Sequence, residues 1–171
     1  MPPRVPFAEG ARVPLLGVPY TVRLCGQGDL FEGLDGRAGV EVRGRRLLVS
    51  ATPDDASSRL GGWLRAHAAH EIGVRARRGA ERIGCRISRL TLRDQRTRWG
   101  SCSAQGALSF SWRLVLAPEP VLGYVVAHEV GHLAEMNHGP RFWALVHTLT
   151  GEPEQARAWL HRNGERLYAY G

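Results

Sequence analysis

The sequence predicts an α+β fold, with short strands in its first part, a helix and a second small sheet in the middle, and helices at the end. Three observations lead there. Apolar and polar residues alternate over residues 18–24 and 107–112, the period of a half-buried strand. Apolar residues recur at helical spacing around residues 60–68, 121–126 and 142–149. Glycine and proline gather between these segments and punctuate them.

Taken in order, Val18-Pro19-Tyr20-Thr21-Val22-Arg23-Leu24 is β-branched and alternating. Gly33, Gly36 and Gly39 mark a turn-rich stretch. Val40-Glu41-Val42 and Arg46-Leu47-Leu48-Val49 flank Gly44 as a hairpin. A helix then starts at Thr52-Pro53-Asp54-Asp55: Thr52 caps, Pro53 takes the first helical position and Asp55 completes a capping box. Leu60, Trp63, Leu64 and Ala68 form its apolar face, and it should continue towards Arg78. Gly61 and Gly62 weaken its first turns.

A second β-region covers residues 85–92, with Ile87, Leu90 and Leu92, and the alternating residues 107–112; the sheet there is expected to be short and mostly antiparallel. Between them, the small residues of Thr97-Arg98-Trp99-Gly100-Ser101-Cys102-Ser103 suit a tight turn or a close backbone approach. Pro118 and Pro120 open a helix over 119–135, whose Val121, Leu122, Val125 and Val126 should make it central and buried. Asn137-His138-Gly139-Pro140 breaks it and begins another, with Phe142, Leu145, Val146 and Leu149 on one face. Gly151-Glu152-Pro153 precedes a last amphipathic helix over 154–168.

A chain of 171 residues is expected to form one domain, with a β-rich part over 1–52 and a core over 53–171. The amino terminus has no apolar signal-peptide core, and the longest apolar runs, such as 114–117, are too short to cross a bilayer. Cys25, Cys85 and Cys102 are odd in number and form no Cys-x-x-Cys pair, which reads as reduced thiols in a cytoplasmic protein. The net charge is +7, and all 23 basic residues are arginine. Without lysine, Schiff-base chemistry is excluded. Nine arginines fall between Arg75 and Arg98, a stretch that could meet nucleic acid or nucleotides or simply be a solvated face.

The most informative residues are His128-Glu129-Val130-Gly131-His132, with His138 six positions further on. On a helix, residues four apart share a face, so His128 and His132 can address one ion. Glu129 lies roughly 100° round the helix, where its carboxylate can reach the open side of the metal. Two such histidines, a third protein ligand and a neighbouring carboxylate make a water-activating zinc site. His138 is preferred as third ligand, since the helix break lets the chain turn back; Glu152 and Glu154 are the rivals. His67, His70, His147 and His161 lack ligand spacing.

Two stretches, Arg93-Asp94-Gln95-Arg96-Thr97-Arg98-Trp99-Gly100-Ser101-Cys102-Ser103 and His128-Glu129-Val130-Gly131-His132-Leu133 with Asn137-His138 and Arg141-Phe142-Trp143, resemble the two signatures of the bacterial YgjP-like metallopeptidases. That family is related to the SprT-like and WLM proteases, which share a small zincin core. The resemblance implies His128, His132 and His138 as ligands of one zinc ion per chain, Glu129 as the catalytic carboxylate activating a zinc-bound water, and a peptide or protein as substrate. Gly131 stands where alanine is more usual in the family, a small-for-small change costing about 1 kcal/mol of helix propensity.

Other points stay open in the sequence. Tyr124 and the arginines near Arg98 are candidate oxyanion donors, and Glu135 and Asn137 candidate partners for the ligand histidines. Arg98-Trp99-Gly100-Ser101-Cys102 is either an edge strand receiving substrate backbone or a buried Trp99 with a supporting glycine turn. Cys102 lacks an identifiable base and is disfavoured as a nucleophile. Two rival functions remain: metal-dependent hydrolysis of nucleotide phosphoanhydrides, motivated by the arginines, and a DNA-associated SprT-like protease or binding module, for which no zinc ribbon is present.

Overall fold

Residues 3–26 and 39–171 are described by the computed structural model, and Gly33 and Gly36 of the expected turn-rich stretch lie outside them. The first sheet contains β1 (Arg12–Leu15), β2 (Val18–Cys25), β3 (Val40–Arg43) and β4 (Arg46–Ser50), in the order β1-β2-β4-β3. β1–β2 and β3–β4 are hairpins, as the sequence suggests, while β2 and β4 lie parallel at the centre. Leu16 and Gly17 both have positive φ, 48° and 78°, the conformation that a two-residue hairpin turn demands. Val13, Val22, Leu47 and Val49 alternate inward and are fully buried.

The long helix α1 (Ala56–Arg82) covers that sheet and the later helices. It starts after the expected capping site. The Thr52 hydroxyl donates to the Asp55 carboxylate at 3.1 Å and accepts from the Asp55 N–H at 3.4 Å, closing a turn ahead of the helix. It also runs past Arg78, because its apolar row continues through Ile72, Ala76 and Ala80, all buried.

The second sheet, β5 (Arg89–Arg93), β6 (Gly100–Cys102) and β7 (Ala107–Ser111), has the order β5-β7-β6. β6 and β7 form an antiparallel hairpin, and β5 joins β7 in parallel. Residues 85–88 are irregular, so β5 begins later than the expected 85–92 region. Beyond β7, a buried 3-10 turn over Trp112–Leu116 leads to α2 (Glu119–Gly131), α3 (Pro140–Thr150) and α4 (Glu154–Leu167). No helix among the described residues is long and apolar enough to cross a membrane.

One ion pair ties the loop before β6 to the end of the chain. Arg113, only 5% exposed, donates from Nε to Asp94 Oδ1 at 2.8 Å and from Nη1 to the carbonyls of Leu167, at 3.2 Å, and Tyr170. Burial pushes the Asp94 pKa up, but the hydrogen bond and charge of Arg113 outweigh it and hold the carboxyl below its ordinary value. Asp94→Ala leaves a buried guanidinium without its counter-ion. It should lower stability by about 1–3 kcal/mol, discounted for the exposed side of Asp94, and urea unfolding midpoints read this directly.

Candidate metal centre

The motif helix is α2, and its sequence explains both its position and its end. Pro118 and Pro120 set its start, and Val121, Leu122, Val125, Val126 and Val130 bury it. It stops at Gly131 rather than running to Glu135. His132 is its C-cap and keeps right-handed helical φ and ψ, so the four-residue spacing to His128 still places both rings on one face. The next residues wind into a tighter turn, in which the Ala134 and Glu135 N–H groups both donate to the Gly131 carbonyl. Ending the helix there turns the chain back, and Gly139 and Pro140 start α3 immediately after His138.

One nitrogen from each of His128, His132 and His138 lies within 4.8 Å of the other two. The Nε2 atoms of His128 and His138 are 3.1 Å apart. Around a tetrahedral zinc with Zn–N near ~2.0–2.1 Å, neighbouring nitrogens sit roughly 3.3 Å apart, so this donor set fits that ion. The chain also orients two of the rings. His132 Nδ1 is 3.0 Å from the Glu135 carbonyl, which can only accept; Nδ1 therefore carries the proton and Nε2 the free lone pair. His128 Nδ1 meets the Tyr124 hydroxyl at 3.5 Å. Beneath all three lies Phe142, with ring centroids 4.9, 4.4 and 4.8 Å from His128, His132 and His138. Burial, then the neighbouring His132 and His138, press the His128 pKa down to about 4, which keeps the imidazole in the neutral form a metal requires.

Glu129 is 8% exposed, and burial pushes its pKa up to about 7 against the opposing charge of Arg98. Its tight fit explains the central residue of the Trp99-Gly100-Ser101 stretch. A Cβ on Gly100 would lie 2.6 Å from Glu129 Cγ and 2.9 Å from Oε1. The close backbone approach that the small residues suggest is therefore between β6 and the carboxylate of α2. Gly131 has a similar reason: a Cβ there would meet Phe142 at 3.1 Å. As the last residue of α2 it also carries less of the mid-helix propensity cost.

Other sequence candidates fall elsewhere. Among the described residues, His67, His70, His147 and His161 do not join the cluster, nor do Glu152 and Glu154. His67 stacks on Trp63, and His147 lies 3.6 Å from Glu154. Tyr124 contacts His128 Nδ1, which makes it a positioning residue for that ring. Glu135 contributes its backbone carbonyl, while its side chain faces Arg141 at 3.9 Å. Trp99 is half-buried, stacked on Tyr168 at 4.9 Å, and β6 is an edge strand. Burial, then the Glu129 charge, raise the Cys102 pKa, which favours the protonated thiol over the nucleophilic thiolate.

The arginines between Arg75 and Arg98 are not one face. Arg75 is paired with Glu71 and Glu119, and Arg82 donates to the carbonyls of Thr148 and Leu149. Arg96 and Arg98 stand beside the candidate centre instead. The features that sequence reasoning missed are the Phe142 floor, the Gly100–Glu129 contact and the approach of Arg157 from α4.

The YgjP-like metallopeptidase domain model matches residues 1–163. No curated protein matches. Among solved structures, the crystal structure of the metallopeptidase zymogen of Pyrococcus abyssi abylysin is similar at 17% identity and a TM-score of 0.47. The likeness covers 56% of this chain and 94% of that one, and is too distant to carry an argument.

Proposed function

We propose, on the premise that this chain belongs to the YgjP-like metallopeptidase family, that it is a zinc-dependent peptidase in which His128, His132 and His138 hold one ion and Glu129 is the catalytic base. The observation that carries this is the convergence of three imidazole nitrogens on one point next to a sealed carboxylate. Three protein nitrogens leave a tetrahedral ion one open position, the pattern of a catalytic rather than a structural site.

Zinc held there would supply a Lewis acid that brings the ionisation of water to roughly pH 7 and polarises a substrate carbonyl. The chain's own residues do the rest. Tyr124 and the Glu135 carbonyl hold the rings of His128 and His132, so that their Nε2 lone pairs face inward. Glu129, with an affinity for protons near neutrality, accepts one from the attacking water and returns it to the leaving amine. Gly100 on one side and burial on the other fix the carboxylate, which limits the reorganisation needed when it changes charge. The odd number of cysteines and the lack of a Cys-x-x-Cys pair support a reducing compartment, and we assign the protein to the cytoplasm.

A chelator should abolish the release of new amino groups from a mixed peptide pool, and one equivalent of zinc should restore it. Hydrolysis that persists in chelator would remove the metal from the reaction. His138→Ala should weaken zinc affinity at least about tenfold, as expected when one of three ligands is lost. Unchanged affinity would pass the third position to a carboxylate such as Glu152 or Glu154.

A further inference from the structure

A cavity of about 760 Å³ opens beside the metal centre, between the loop before β6 and α4. Its inner wall is shared with the centre: Tyr124 lines it, and the same hydroxyl lies 3.5 Å from His128 Nδ1. Trp99 forms one side. It is clamped between Tyr168, stacked at 4.9 Å, and Gly164, where a Cβ would come within 3.2 Å of the indole. A rigid aromatic wall of this kind gives a cavity a fixed shape.

Arg96, Arg98 and Arg157 also line the cavity. Among the described residues none of the three guanidinium groups is paired with a carboxylate at salt-bridge distance. Arg157 lies over the Trp143 ring at 5.0 Å, and that ring is 6.0 Å from His128. Against these three stand Glu154 and Glu165, and Glu154 already faces His147 at 3.6 Å. The cavity therefore keeps an excess of planar cationic donors, the groups that match a carboxylate in a bidentate manner. A neutral or cationic side chain would leave them unmatched.

We propose that this cavity is the subsite for an acidic side chain of the peptide substrate, held by Arg157 and Arg98 beside the Trp99 ring. The proposal rests on the peptidase reading and adds a substrate class to it. The subsite abuts the scissile position because Tyr124 belongs to both walls.

The test reads binding rather than turnover. Two pools of short labelled peptides, identical except for Glu or Gln at one fixed position, are titrated by fluorescence anisotropy into the zinc-loaded, full-length Glu129→Gln protein. The Glu pool should bind at least about tenfold more tightly at low salt, and the gap should narrow as salt rises. Arg157→Gln and Arg98→Gln should each close most of that gap, and Arg157→Lys should keep more of it than Arg157→Gln. Equal binding of the two pools, or a Glu preference that survives both glutamine substitutions, overturns the proposal. So does displacement of both pools by a nucleoside triphosphate that binds more tightly than either, which would assign the arginines to phosphate. A Glu preference without cleavage by the wild-type protein would defeat the peptidase reading alone. Cleavage without a Glu preference would defeat the subsite alone.

Discussion

Glu129→Gln should retain about one zinc per chain and lose hydrolysis by about 10²–10⁴-fold, the usual worth of a positioned general base. The amide keeps the size of the carboxylate and its fit against Gly100, but cannot take a proton. The same substitution should stabilise the metal-free protein at alkaline pH. In the folded chain the Glu129 pKa is raised from 4.5 to about 7. Between those values the native state holds a proton that the unfolded chain has released, so stability falls as pH rises through that window. Below pH 4.5 the penalty vanishes, and above pH 7 it is complete at about 3 kcal/mol. Glu129→Gln should therefore raise the melting temperature of metal-free protein at pH 8 and leave it nearly unchanged at pH 4. Equal melting temperatures at pH 8 would mean that the carboxylate is solvated, and would remove the basis for its role near neutrality. On the proposed mechanism one residue would both cost stability and supply the chemistry, the trade expected at an active site.

Gly100→Ala is the second variant with a large expected effect. The added methyl would sit 2.6 Å from Glu129 Cγ, a separation that real Cβ atoms do not sustain. Either β6 moves away from α2 or the carboxylate is displaced. The first costs about 1–3 kcal/mol of overpacking strain. The second moves the carboxylate proposed as general base by about a fraction of an ångström to an ångström, which can lower turnover about 10²-fold. Zinc affinity should stay close to that of the wild-type protein, because the three atoms nearest the added methyl all belong to Glu129 and none to a histidine. Full activity with unchanged stability would show that the Glu129 contact is loose and that β6 does not fix the base.

The candidate metal centre was legible where its geometry is local. His128 and His132 are one helical turn apart, and His138 lies ten residues after His128, past the end of α2 and just before Gly139-Pro140, so the spacing lets the three come together. The end of α2 was not legible. Ala134 and Glu135 are good helix formers, and only the tighter turn around the Gly131 carbonyl reveals where the helix stops. The start of α1 was misplaced for a related reason: Thr52 and Asp55 make their side-chain contacts in a preceding turn that mimics a helix cap.

Contacts between distant segments were hidden further. Gly100 could be recognised as a position needing little side-chain volume, but its partner is on another element and has no sequence periodicity to announce it. The parallel β2–β4 and β5–β7 pairings belong to the same class, since hydrophobic alternation fixes which face is buried and not which strand lies alongside. The arginine-lined cavity combines residues 96–99 with α4, and a charge count along the chain treated Arg96 and Arg98 as part of a run that the fold separates.

The most direct test of the central claim is X-ray absorption spectroscopy at the zinc edge of the purified, zinc-loaded protein. Three imidazole nitrogens from His128, His132 and His138 at about 2.0–2.1 Å, completed by a light oxygen ligand, is the expected result. His138→Ala should then reduce the imidazole count by one. A sulfur ligand near about 2.3 Å, which would bring in a cysteine such as Cys102, or an imidazole count untouched by His138→Ala, would contradict the account.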